Sequence, residues 1–254
     1  MEISTFFENP SAWGIGLAVV FGLICLAVLK PLRLSSPAPW IILLVGALLF
    51  APSIAWIQAP LQDLIGTRII GSLGIVVYQK SILWAGIPVV LISGLVQEGA
   101  KLLPVSVFWW FKRKKVDPLF GLSLGAMAGA GFGVFEAQWL LNSVFASGWS
   151  LTAFQLYGFL GIVAFVERFF TVAFHTASAA LAGWGLSRGK GWQFYLLSSF
   201  LHFLVNYGVL LTGKGIFGII QTELWVYIIS AALFGYIVWL RYRPTQPGLQ
   251  QPTI

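Results

Sequence analysis

The chain has 254 residues, 58% of them hydrophobic and only 9% charged, with a mean hydropathy of +0.88. So little charge beside so much Leu, Phe and Trp excludes a soluble domain and specifies an all-α, polytopic transmembrane bundle of about seven spans. The net charge of +7 does not point to nucleic acid, because the positive residues sit at the ends of apolar runs, where topology determinants lie.

The first apolar stretch follows Glu2 and Glu8 rather than a basic segment and is too long for a signal-peptide core, so it is expected to remain as a span. That span runs from Ser11 to Leu29 and stops at Lys30-Pro31-Leu32-Arg33; inside it lies Cys25, the sole cysteine, which excludes an intrachain disulfide and a thiolate metal cluster. Span two covers Pro39 to Gln58 and is expected to close at Pro60 and Asp63. Leu64–Tyr78 is apolar but short and interrupted by glycine, which suits an interfacial or re-entrant piece better than a crossing. Span three lies within Ser81–Phe111 and ends in Lys112-Arg113-Lys114-Lys115, and span four covers Pro118 to Leu141. Thr152–Ser187 is too long for one straight crossing, so its first part reads as a surface or tilted helix and Val166–Leu186 as span five. Trp192–Leu211 and Glu223–Leu240 complete the set. No composition shift marks a second domain: residues 1–254 read as one integral membrane unit, with a polar-motif core at 82–211 and a flexible Pro/Gln-rich tail at 244–254.

With seven spans, Lys30, Arg33, Lys112, Arg113, Lys114, Lys115, Arg188, Lys190, Arg241 and Arg243 share one side, against Arg68, Lys80 and Lys214 on the other. This bias places the C-terminus in the cytoplasm and the N-terminus outside, as expected for a protein of the plasma membrane.

Charge inside hydrocarbon costs a few kcal/mol or more, so the ionisable residues within the spans mark function. The central stretch is Val96-Gln97-Glu98-Gly99-Ala100-Lys101, whose carboxylate and ammonium are three apart and share a helix face. Span four carries Gly125, Gly129, Phe132 and Glu136, a small-residue stripe that admits a close neighbour and leads to a carboxylate. Span five carries Glu167, Arg168 and His175, and span six His202 and Asn206, four apart on one face. A histidine alone in a span commonly serves a helix–helix hydrogen bond; both of the chain's histidines beside Glu and Asn favour a shared site. A buried carboxylate next to a cation suits a general base for water, and neutral histidines with an amide can orient that water and hold an oxyanion. Hydrolysis of a carbonyl compound, foremost a peptide bond, is the chemistry this set supports. Ser178, one turn from His175, is a weak alternative nucleophile. Glu98, His175 and His202 form an alternative zinc set, although no compact His-Glu-x-x-His spacing is present.

At these residues the sequence resembles the glutamic-type intramembrane protease superfamily, which includes the PrsW and YhfC peptidases and the CAAX-prenyl endoproteases. The elements are Gln97-Glu98-x-x-Lys101, Phe132-x-x-x-Glu136, Glu167-Arg168-x6-His175 and His202-x-x-x-Asn206, spread over Gly94 to Leu211. The resemblance implies Glu98 as first-motif carboxylate with Lys101 its companion, Glu136 and His175 in the next two motifs, and His202 with Asn206 holding the oxyanion. Gln97 stands where paired glutamates are usual, which implies either lost activity or transfer of the water-activating role to Glu136. The resemblance extends to a non-catalytic branch, the seven-span scaffold subunit of gamma-secretase.

Other features have plainer readings. Trp40, Trp109, Trp110, Trp149 and Trp192 lie near span ends as an interfacial belt, and Gly213-Lys214-Gly215 is a turn rather than a phosphate loop. A transporter is disfavoured because the polar motifs do not repeat between the halves. The expectation is an intramembrane endopeptidase acting, without a cofactor, on a transmembrane or membrane-associated peptide. The alternative is a membrane scaffold within a larger membrane-protein complex; no nucleic-acid partner is expected.

Overall fold

The computed structural model describes residues 2–243; the tail expected at 244–254 lies outside the described residues. Seven helices are long and apolar enough to cross a membrane, and no strand occurs among the described residues. They are α1 (Ala12–Leu29), α2 (Pro37–Leu73), α3 (Ile87–Phe111), α4 (Pro118–Ala146), α5 (Val163–Ser187), α6 (Gly191–Gly213) and α7 (Ile219–Tyr242). The chain is an integral membrane protein.

Side-chain caps fix several starts. Ser11 Oγ accepts from Gly14 N, Ser36 Oγ from Ala38 N, and Asp117 from the backbone N–H groups of Leu119 and Phe120 at 2.9 and 3.0 Å. Pro37 and Pro118 follow their caps, where a missing N–H costs nothing.

Span two departs from expectation. Its helix does not close at Pro60 but continues to Leu73, because the turn before the proline is a π-helix, Ile54–Gln58, in which Ala59 N–H reaches back to Ile54 O. The wider turn makes room for the pyrrolidine ring, which would clash with the preceding turn of a regular α-helix. The helix ends at Gly74, whose φ of 75° needs glycine, and the short helices Ile75–Lys80 and Ile82–Ala85 lead into α3. Leu64–Tyr78 is therefore the tail of α2, the break at Gly74 and most of the short helix Ile75–Lys80. The region before α5 is as expected: a short exposed helix, Leu151–Tyr157, and a 3-10 turn, Gly158–Gly161.

The central pair is α4 and α5. In their apolar centres 78% and 83% of residues are buried, against 28–39% in the other five helices, which turn one side to lipid. Glycine on α4 brings the two backbones together. A Cβ on Gly125 would collide with the carbonyl of Ala179, and one on Gly129 with the carbonyl of His175. On the far side of α4, Gly131 lies against Leu43 O of α2. Without a hydrophobic drive between helices in lipid, such close approach is how packing energy is gained.

The basic residues collect at one end. Arg241 donates to the carbonyls of Leu29 and Lys30, Leu32 N–H to Ser123 Oγ, and Arg33 lies 4.6 Å over the Phe120 ring. At the other end Ser11 N–H donates to Asn142, and Lys214 caps the carbonyls of Gln79 and Lys80.

Gly129→Ala is expected to cost about 1–3 kcal/mol, since the added methyl must push α5 away, whereas Gly16→Ala, with open space around it, is expected to be neutral. Thermal unfolding in detergent measures both; equal midpoints for the two variants would show that the α4–α5 contact is not this close.

Candidate active site

Four helices deliver the polar side chains to one place. Glu98 and Lys101 on α3 are fully buried and paired at 2.5 Å, as their three-residue spacing permits. The ammonium also donates to His175 Nδ1 at 3.0 Å and Ser178 Oγ at 2.9 Å, both on α5, so its three hydrogens have three partners. Ser178 hands its own proton to Glu98 Oε1 at 3.1 Å, and His202 Nδ1 on α6 lies 2.8 Å from the same oxygen. Ser178 is thus a structural link with its hydroxyl already committed, not a free nucleophile.

These contacts settle the proton positions on the rings. His175 Nδ1 accepts from Lys101, so the proton of the neutral ring sits on Nε2, which lies 2.7 Å from Glu136 Oε2. The contact is close, but the N–H is not aligned on that oxygen, and Glu136 Oε2 keeps an uncommitted lone pair. His202 Nδ1–H donates to Glu98 and leaves Nε2 bare. The two imidazole rings are 5.3 Å apart, centre to centre.

Glu136 on α4 is further held by Arg168 of α5, whose Nη1 donates to Oε1 at 3.2 Å; the same guanidinium grips its neighbour Glu167 through two donors. Asn206 on α6 spends one amide hydrogen on Ser93 Oγ of α3, at 2.8 Å. Gln97 donates to Gln58 of α2 at 3.0 Å and is itself 7% exposed.

A cavity of about 190 Å³ opens among these groups, with Gln97, Glu136, Arg168, His175, His202 and Asn206 in its wall. Glu98 and Lys101 stand behind that wall, with no exposure at all. Every residue singled out from the sequence is therefore brought to one region, in two layers. A larger shallow recess near Trp110 and Lys114 is remote from all of these groups.

Three polar wall residues were not singled out from sequence: Thr171, Thr222 and Glu223. Glu223, the fifth residue of α7, was legible only as the polar start of a span; a carboxylate just inside an apolar run was the available signal. The partners Ser93, Gln58 and Gln62 gave no signal, since polar uncharged residues are common near span ends.

The donor set can be tested against a metal ion. Glu98, His175 and His202 can each offer an atom within 4.8 Å of the other two. Glu98 Oε2 is buried without a hydrogen-bond donor, Glu136 Oε2 meets only the misaligned N–H of His175, and His202 Nε2 carries a free pair. Buried electron pairs without donors suit a cation, and two His with a Glu is a familiar catalytic zinc set. His175 has both nitrogens engaged and must release one partner to join. The residues fit.

The fold and site define a helical membrane protein with an acid, imidazole and amide cavity enclosed within its spans. Residues 36–238 match the model of the PrsW family of intramembrane metalloproteases, and the chain belongs to that family. No curated protein and no solved structure matches it. The family description corrects the expectation that no cofactor is needed: its members are metalloproteases, and the Glu98, His175 and His202 group provides a place for a metal. Sequence spacing did not favour this because the three donors come from three helices, with no local His-x-x-x-His repeat.

Lys101→Met is expected to cost about 3–5 kcal/mol by stranding the Glu98 carboxylate, and Lys101→Met/Glu98→Gln to recover more than half. Thermal unfolding in detergent reads the cycle; additive losses would mean that the two side chains act independently.

Proposed function

We propose that this chain is an endopeptidase that cuts a transmembrane or membrane-associated polypeptide in the cavity between α3, α4, α5 and α6. The reading is carried by one observation: the electron pairs of Glu98 Oε2 and His202 Nε2, with no hydrogen to meet, and of Glu136 Oε2, which meets only the misaligned N–H of His175, gather inside a bundle otherwise lined for lipid. Glu98, His175 and His202 would hold a divalent ion of the zinc class. When bound, that ion supplies a Lewis acid for the scissile carbonyl and makes its water more acidic.

The chain's own residues supply the rest. Glu136 lines the cavity and takes the proton of the attacking water at Oε2, then returns it to the leaving amine. Arg168 holds the other oxygen, Oε1, so that Oε2 stays turned toward the site. Lys101 balances the charge of Glu98 and orients the His175 ring through Nδ1, a contact the ring must release to offer a lone pair to the ion. Asn206 has one amide hydrogen left with which to hold the oxyanion of the tetrahedral intermediate. In this reading Gln97 is compatible with activity, because the water-activating carboxylate is Glu136.

The test uses the purified full chain in detergent with a fluorogenic apolar peptide. Chelation is expected to abolish cleavage and added zinc to restore it. Glu136→Gln should lower turnover by about 10²–10⁴ with bound metal unchanged, while His202→Ala should lose the metal as read by elemental analysis. Cleavage that survives chelation and both substitutions would overturn the proposal, and absence of cleavage by the metal-loaded wild type would favour the scaffold reading.

A further inference from the structure

Gln97 has one side-chain atom that nothing in the bundle uses. Its residue is 7% exposed, it lies in the cavity wall, and Oε1 is buried with no hydrogen-bond partner. An amide can be turned over by 180°, so the identity of the end left without a partner must come from its neighbours.

Those partners form a chain with one direction. Gln97 Nε2 donates to Gln58 Oε1 at 3.0 Å, Gln58 Nε2 to Gln62 Oε1 at 3.3 Å, and Gln62 Nε2 to the backbone carbonyl of Val89 at 2.9 Å. The last group is a carbonyl and can only accept. Gln62 must therefore show it the NH₂ end, Gln58 must follow, and Gln97 is left with its oxygen uncommitted. The π-turn Ile54–Gln58 ends on the relay's second member, and Gln58 and Gln62 lie four apart on one face.

Asn206 repeats the logic on α6. Ser93 Oγ donates to Val90 O at 2.6 Å and so accepts from Asn206 Nδ2 at 2.8 Å, which turns Oδ1 away from Ser93. Two cavity amides are each pinned through a relay that ends on a carbonyl of α3.

We propose that Gln97 is a substrate-positioning residue, a fixed and uncharged acceptor for a backbone N–H of the bound peptide. Its ligand is a peptide segment with free N–H groups, because an intact helix has already spent them internally. The inference rests on the reading of the cavity as a peptide site and names what that site recognises. It also explains why glutamine stands here. A carboxylate at position 97 would face Gln58 Oε1, and relieving that clash would reverse the relay and set Gln62 Oε1 against Val89 O.

The experiment uses the full chain in detergent, treated with chelator so that binding is read without cleavage. The probe is a fluorophore-labelled, 20-residue apolar peptide with a glycine-rich centre, together with versions in which one central amide at a time is replaced by an ester, removing a single N–H. Fluorescence anisotropy gives Kd for wild type, Gln97→Met, Gln97→Glu and Gln62→Leu. One ester position is expected to weaken binding to wild type about tenfold, and Gln97→Met to weaken the amide probe about tenfold with no further loss for that ester. Gln62→Leu, outside the cavity wall, should lose part of the same discrimination, and Gln97→Glu/Gln62→Leu should unfold at a higher temperature than Gln97→Glu. If no ester position separates wild type from Gln97→Met, or from Gln62→Leu should Gln97→Met fail to fold, or if the amide probe does not bind, the proposal is overturned. Coupled binding without cleavage by the metal-loaded protein would overturn the protease reading and leave the role of Gln97 standing.

Discussion

One ammonium, that of Lys101, decides how the interior is arranged. Hydrocarbon offers no water to a stray charge, so each polar group on the inner face must find its partner in another helix. Lys101 reaches Glu98 on its own helix and His175 and Ser178 on α5, and through Glu98 it reaches His202 on α6. Three helices are tied to one point that no solvent molecule reaches. A pair buried this way contributes little net stability against apolar isosteres, but losing one partner is severe. Its effect is to fix the register of the helices and the tautomers of both histidines.

The second constraint is steric. Glycine at 125 and 129 lets α4 rest on the backbone of α5, and the Gly129 contact is with the carbonyl of His175 itself. The same packing that builds the central pair therefore sets the distance from Glu136 to His175. Arg168 fastens the other end of that carboxylate. The cavity is what remains when these contacts are satisfied, and its wall keeps the electron pairs that no internal hydrogen reached.

The amides obey a different rule. Carboxylates and ammonium groups are oriented by charge, but Gln97 and Asn206 are oriented by where their hydrogen-bond chains end. Both chains end on carbonyls of α3, Val89 and Val90. Backbone acceptors at the head of one helix thus determine which atom each amide leaves uncommitted.

Composition and the spacing of apolar runs were sufficient for the membrane class, the number of spans and the basic end of the bundle, because a bilayer imposes length and charge rules on local sequence. The Glu98–Lys101 pair was legible for the same reason: a helix repeats every 3.6 residues, so i and i+3 meet without help from the rest of the fold. What lies between helices was not. The run of α2 through Pro60 depended on a π-turn that no local pattern announces, and the glutamine relay passes through the last residue of that turn. The layering of Glu98 behind Glu136, the entry of Glu223 and the metal-fitting trio all arise from side chains far apart in sequence. Such donors share no period, and only the packing of α3, α4, α5 and α6 decides which of their electron pairs are left unshared.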